Sequence, residues 1–358
     1  MPDELGRGVS DNIDSAIFLQ REKSFGESMN YSGSITDVAG ITVGHYTDLI
    51  NGTGCTVVLS DEPANAGMEV RGAAPGSRET ALLDPLASAQ WVNGVTLTGG
   101  SAFGLDSPGG VVRYLEEQGV GVKFGRTRIP LIPAAVVFDL GFINSEVRPT
   151  VDDGYTAAAS ASKDFATGNV GAGTGSTVAK LLGGASSIKG GVGTASVKMP
   201  NGATVGALMV VNAIGGIVDP ENGEIVAGPQ TSKGFVDSID LMIESPPKDR
   251  GFFRNTTIGV VATDAPLDKI GATRLAVAGQ DGIALAIRPS HTANDGDTVF
   301  GLSTGTHPDA IPGDVLHAAA LKAVTGAILN AIDSAETLGG VLSAADAKSA
   351  LAMKGNSK

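Results

Sequence analysis

The sequence predicts an α+β domain built from packed layers, and three observations carry that expectation. Strand-like and helix-like segments come in blocks as well as in alternation, which favours segregated layers over a doubly wound parallel sheet. Hydrophobic residues make up 42% of the chain but aromatics only 4%, so the core is built from small side chains. Glycine fills 51 of 358 positions, about twice ordinary usage, without the period of three that marks collagen.

Residues 1–33 are polar and aperiodic apart from a weak helical signal at 17–23, and are expected to form a flexible extension ahead of a single domain over 34–358. That domain opens with a short strand and turn at 35–44, and 53–60 alternates as a strand does. A strand near 94–98 leads through a glycine-rich turn into a helix over 107–118 that Gly119 stops. The pattern then predicts a strand at 136–140, an alanine-rich helix at 155–166 and a single turn at 178–182. Apolar runs at 191–198, 204–211 and 216–219 read as successive strands joined by turns such as Asn201-Gly202. A polar, mobile stretch is expected at about 222–255, followed by a strand at 255–263, a long helix at 269–287, a strand at 299–304 and a second long helix at 315–332.

The formal charge of −13 leaves no basic stripe for nucleic acid and suits an anionic membrane surface poorly. Cys55 is the one cysteine, so no intrachain disulfide can form, and the chain opens without a basic-then-apolar signal. A cytoplasmic protein with neither nucleic-acid nor membrane partners is expected. The four histidines lack paired metal-ligand spacing, so no metal is expected. Asn294–Asp297 lacks the ladder of a calcium loop, and Gly171–Ser176 fits tight backbone packing better than a dinucleotide loop.

The sharper signal is Asn255-Thr256-Thr257-Ile258, where a polar segment runs into a buried-looking strand. Scission between Asn255 and Thr256 would give Thr256 a free α-amine beside its own hydroxyl. Such an amine titrates at about 7.7–8.0 and can act as the base for a threonine nucleophile.

This segment resembles the processing site of the self-cleaving L-aminopeptidase/D-esterase and β-aminopeptidase family, whose nylon-oligomer (6-aminohexanoate oligomer) hydrolase relatives share the Asn-Thr-Thr-Ile form. The resemblance covers about 35–332 and rests on five collinear motifs, Asp37–His45, Leu97–Leu105, Gly171–Gly175, Asn212–Gly215 and His291–Thr298. It implies a four-layer αββα sandwich, similar to N-terminal-nucleophile hydrolases in layering but different in connectivity, self-cleaved into 1–255 and 256–358. It also implies Thr256 as nucleophile, Asn212 in the oxyanion hole, Lys180 as an active-site lysine, and Asp295 with Asp297 holding the ammonium and hydroxyl of Thr256. Phe138 falls where relatives carry tyrosine, and Gly100 and Ser101 sit beside the expected pocket.

The implied activity is hydrolysis of a peptide or other linear amide through a Thr256 acyl-enzyme, on a small amine-bearing substrate, without a cofactor. A homo-oligomer, a tetramer of processed α/β units, is the expected assembly. An acyltransferase of the ornithine acetyltransferase type, or a binding protein of the same fold that never processes, are the alternatives. Read without the resemblance, Asp295-Gly296-Asp297 equally suits a turn cap, Asn212 a satisfied core amide and Lys180 a solvated helix residue.

Overall fold

The computed structural model describes residues 31–245 and 255–355. Nine strands form one hydrogen-bonded series: β1 (Ile41–Asp48), β2 (Thr53–Val70), β3 (Ser77–Arg78), β4 (Trp91–Thr98), β5 (Ala134–Val136), β6 (Gly191–Lys198), β7 (Thr204–Asn212), β8 (Thr256–Thr263) and β9 (Thr298–Ser303). Their order is β6-β7-β8-β9-β2-β4-β5-β3, with β1 also paired to β2. The helices are α1 (Pro108–Glu117), α2 (Val151–Ala159), α3 (Ser238–Glu244), α4 (Lys269–Ala286), α5 (Gly313–Asp333) and α6 (Ala344–Gly355).

The long strand β2 divides the series into two sheets. Its first part pairs antiparallel with β1 and its last part, from Asn65 to Val70, antiparallel with β9. Between them the register against β4 jumps from Leu59↔Gly94 to Ala64↔Val92. Asp61, Glu62 and Pro63 occupy the break and are exposed. Proline has no N–H to give a ladder, so the strand changes direction there.

Three buried clusters define the layers. Ile41, Val58 and Leu97 meet Leu208, Val210, Ile258 and Phe300 in a core between the sheets. Cys55, Val57 and Leu59 face outward onto Val111 and Leu115 of α1 and Ala157 of α2. On the opposite outer face, Val205, Ala207 and Met209 pack with Leu275 and Ala278 of α4 and Val324 and Ala327 of α5. Alternation along β2 and β7 sends neighbouring residues to opposite layers. The result is the αββα sandwich. Helix α5 is long and apolar enough to cross a bilayer by length and composition, but these residues are spent on the outer core.

Small residues set the spacing between layers. A methyl group on Gly193 of β6 would lie 2.1 Å from the carbonyl oxygen of Ala327, and one on Gly301 of β9 would lie 2.0 Å from that of Ala272.

Several elements depart from the sequence expectation. The strand expected at 136–140 ends at Val136. The helix expected at 155–166 starts at Val151 instead, because Thr150 and Asp153 form a reciprocal capping box, and it ends at Ala159. The third of the three apolar runs leaves the main sheet, since Gly216–Val218 pairs with Ile225–Ala227 and Ile287–Arg288. The polar stretch expected to be mobile at about 222–255 holds that strand, a small hairpin and α3, while 246–254 lie outside the described residues. Of the expected N-terminal extension, 1–30 with its weak helical signal also lie outside them; Tyr31 packs on α5, where Asn330 donates to its carbonyl at 2.8 Å.

The close approach at Gly301 is testable. Gly301→Ala forces α4 off β9 and is expected to destabilise the chain by about 2 kcal/mol or more. Urea unfolding of the two chains checks this, and equal midpoints would refute it.

Candidate active site

Antiparallel pairing of β7 with β8 sets Asn212 opposite Thr256. Two residues along, Val210 and Ile258 point into the core between the sheets, and the period of two turns Asn212 and Thr256 the same way. Strand β9 runs parallel to β8, so the segment that enters it, Asp295–Asp297, arrives at the same end. From the other sheet, β4 and β5 are parallel and finish side by side at Thr98 and Val136. The loops leaving them carry Gly100, Ser101, Phe138 and Asp139.

Thr256 is buried, and its hydroxyl donates to the Asn255 carbonyl oxygen at 2.5 Å. The same oxygen accepts the Gly296 N–H at 3.0 Å. Asn255 and Asp295 form an isolated parallel bridge, which holds the acidic segment against the Asn255–Thr256 junction. Gly296 has no room for a side chain, since a methyl group would lie 2.7 Å from the Ala74 carbonyl oxygen and 3.1 Å from Thr256 Oγ1.

The two aspartates have different partners. Asp297 accepts the Thr257 N–H at 2.7 Å on Oδ1, and both the backbone N–H (3.1 Å) and the ring Nδ1 (2.8 Å) of His291 on Oδ2. It therefore grips the residue after Thr256 and not Thr256 itself. Asp295 accepts the Thr292 N–H at 2.7 Å on Oδ2, while its Oδ1 is buried without a hydrogen-bond partner among the described residues. Burial pushes the Asp295 carboxyl up to about 6, and the neighbouring Asp297 charge adds to the effect.

Asn212 is fully buried and linked to two other segments. Its Oδ1 accepts Lys180 Nζ at 2.7 Å and the Thr177 N–H at 3.0 Å, and its Nδ2 donates to the Phe138 carbonyl at 3.1 Å. Lys180 also donates to the Asn212 carbonyl at 3.0 Å. Burial lowers its ammonium to about 7, against the pull of Asp295 and Asp139. Thr256, Asn212, Lys180, Asp295 and Asp297 are thus gathered at one set of strand ends.

A cavity of about 420 Å³ opens here, with Phe138, Asp139, Phe142, Thr177, Lys180 and Asn255 in its wall. Gly100 and Ser101 reach it only indirectly. Gly100 donates its N–H to Asp139 at 2.7 Å, and Ser101 donates its own to the Val137 carbonyl at 3.0 Å.

Four participants escaped the sequence reading. Asp139 is buried between Gly100 and the Thr53 hydroxyl, and burial raises its pKa. Lys189 is fully buried and donates to the carbonyls of Gly173, Ser176 and Gly190 at 2.8–3.0 Å, tying down the glycine-rich loop. His291 holds Asp297, and Gln280 of α4 donates to the carbonyls of Glu69 and Asp297. A lysine set between isoleucine and paired glycines, as in Ile188-Lys189-Gly190-Gly191, is the signal that marks Lys189, because lysine enters a core only when paired.

Fold and strand-end site together define a layered αββα amide hydrolase. The model of peptidase family S58 matches residues 33–345, and the chain belongs to that family. Over 315 residues it is 42% identical to a protein of Mycobacterium tuberculosis described as an uncharacterized aminopeptidase, across 82% of this chain and 87% of that one. It is 27% identical over 278 residues to a 6-aminohexanoate-oligomer endohydrolase of Kocuria sp., across 75% and 74% of the two chains. The solved structure of the L-aminopeptidase D-Ala-esterase/amidase of Ochrobactrum anthropi, described as a new variant among the Ntn hydrolase fold, matches with a TM-score of 0.66 at 22% identity, covering 90% and 94%. That last likeness is one of fold.

The state of Asp295 gives a stability prediction. Its pKa in the folded chain, about 6, lies above the ordinary 3.8, so stability falls as pH rises from about 4 to 6 and the full penalty is present above that. Asp295→Asn removes the charge and is expected to stabilise the full-length chain by about 1–3 kcal/mol at pH 7.5, with little effect near pH 4. Urea melts at both pH values check it. A variant less stable at pH 7.5 would refute it.

Proposed function

We propose that the chain is a self-processing amide hydrolase whose nucleophile is Thr256. The observation that carries this reading is the junction itself: the Thr256 hydroxyl lies against the Asn255 carbonyl, whose oxygen already accepts the Gly296 N–H. A backbone donor on that oxygen can stabilise the charge that develops when Oγ1 adds to the carbonyl carbon. The C–N bond of the Asn255–Thr256 peptide then breaks, the departing nitrogen takes the proton that Oγ1 gives up and becomes the α-amine, and Asn255 is left as an ester on Oγ1. Water hydrolyses that ester, releasing the Asn255 carboxylate and restoring the hydroxyl.

The new α-amine arises beside the Asn255–Asp295 bridge, and Oδ1 of Asp295, which has no partner among the described residues, is the acceptor an ammonium there would need. In turnover the amine takes the hydroxyl proton while Oγ1 attacks the substrate carbonyl, and gives it to the leaving amine. Asn212 Nδ2 carries two protons and the Phe138 carbonyl uses one, which leaves the other for the substrate oxyanion. Lys180 holds the Asn212 amide in this orientation by bonding its oxygen.

The substrate is a short linear amide with an amino group, in keeping with a cavity that has apolar walls at Phe138 and Phe142 and the charged groups Asp139 and Lys180. The working form is a cytoplasmic oligomer of processed units. An exposed hairpin, Val122–Phe124 with Thr127–Ile129, supports assembly, because it sets Phe124 and Ile129 beside Lys123 and Arg128 on a chain of charge −13.

Thr256→Ala is expected to fold, to stay full length on a denaturing gel and to lose amide hydrolysis by about 10³-fold or more. Thr256→Ser is expected to split and keep measurable activity. Splitting of the purified Thr256→Ala chain at the same bond would sink the proposal.

A further inference from the structure

His291 lies outside the nucleophile, the oxyanion donors and the lysine, yet its ring is built into the acidic segment. Nδ1 lies 2.8 Å from Asp297 Oδ2, and Nε2 lies 3.3 Å from the carbonyl oxygen of Gln280 on α4. Both partners are acceptors. A neutral imidazole has a single N–H and can satisfy only one of them, whereas an imidazolium satisfies both. The backbone points the same way, for His291 has a φ of +57°, in the left-handed region that side chains other than glycine enter at a cost. That conformation is what presents both the ring and the main-chain N–H of His291 to one carboxylate oxygen.

The charged groups around the ring come from three directions. Asp297 bonds it directly, with Asp295 two residues earlier on the same segment. At the end of β2, Arg71 opposes a positive ring but is itself paired with Glu69 at 2.7 Å. The side chain that α4 contributes is the neutral Gln280, spent on the carbonyls of Glu69 and Asp297. Burial disfavours the charged ring, but the bond and charge of Asp297 and the Gln280 carbonyl outweigh it, so the His291 pKa is raised.

We propose that His291 is a protonated positioning residue, whose imidazolium neutralises Asp297, locks that carboxylate onto the Thr257 N–H and leaves Asp295 as the member of the pair that ionises beside Thr256. The inference rests on Thr256 as the nucleophile. Asp297 then acts through the backbone next to the nucleophile, and the imidazolium offsets part of the Asp297 charge beside which Asp295 must ionise. Without the imidazolium, Asp295 ionises beside a bare Asp297 carboxylate and needs a higher pH to do so.

The test uses His291→Asn. Asparagine enters the left-handed region readily and its amide can donate to Asp297, so the variant keeps the backbone and the bond but not the charge. In processed enzyme, the acid limb of kcat/KM is expected to move up by about one pH unit, with activity about tenfold lower at the foot of that limb and KM within about twofold. A purely structural histidine would be replaced by asparagine without moving the limb, and an unmoved limb overturns the proposal. A second measurement does not depend on processing. In the full-length Thr256→Ala chain, the ¹⁵N shifts of the His291 ring, assigned by difference from the chain that also carries His291→Asn, are expected to show both nitrogens protonated at pH 7, and a neutral ring there overturns the proposal as well. Failure of the nucleophile reading appears separately, as splitting or amide hydrolysis by Thr256→Ala.

Discussion

The antiparallel register of β7 on β8 is the constraint on which the site depends. It sets Asn212 opposite Thr256, and both side chains face the seam between the sheets because Val210 and Ile258 fill that seam two residues away. A slip of one residue would turn Thr256 toward α4 and α5 and put Thr257 in the seam. Such a slip would also expel the apolar set of β8 from the middle core, so the hydrophobic pattern that stabilises the sandwich holds the Thr256 hydroxyl in place. The parallel neighbour β9 then brings the Asp295–Asp297 turn to the same end, where Gly296 can reach the Asn255 carbonyl.

Around that register the protein buries more charge than its stability calls for. Lys180, Lys189, Asp139, Asp295 and Asp297 all lie at or beside the seam, and most are compensated by backbone groups. Lys189 is saturated by three carbonyls, which makes it a brace for the glycine-rich loop that delivers the Thr177 N–H to Asn212. Asp295 is the exception, with one oxygen left without a partner among the described residues. An unsatisfied buried oxygen costs free energy unless something binds it, and here that cost is kept at a strand end beside the Asn255–Thr256 junction.

The small side chains serve the same end. With few aromatics, the layers close to within backbone contact at Gly193 and Gly301, and Gly296 sits in a space that admits no methyl. Those contacts seat α5 and α4 on the outer faces of the sheets, and across the middle layer the loop after β5 comes within hydrogen-bonding reach of β7 through the Asn212 bond to the Phe138 carbonyl. The break in β2 at Asp61–Pro63 makes this geometry possible, since one continuous strand can then serve both sheets.

The alternation of β6, β7 and β8 and the long periods of α4 and α5 are local properties, and the sequence by itself determined them almost to the residue. The Asn255-Thr256 junction was visible as a polar segment running into a strand, whereas Asn212 and Asp295–Asp297 were singled out through the family resemblance and not by their own residue type or spacing. The bend in β2 was not visible. Asp61–Pro63 reads as the end of a strand until β9 is there to pair with Asn65–Val70. The capping box at Thr150 and the strand and helix within 225–244 were short signals lost in polar sequence. Asp139, Lys189, Gln280 and His291 were hidden for a stronger reason. Asp139 and Gln280 owe their roles to partners far along the chain, Thr53 and Glu69, and His291 and Lys189 owe theirs to backbone carbonyls that only the folded loops and helix present. Only the tertiary structure could decide them, because burial and long-range hydrogen bonding, which select a side chain's charge state and partner, do not exist until the layers have closed.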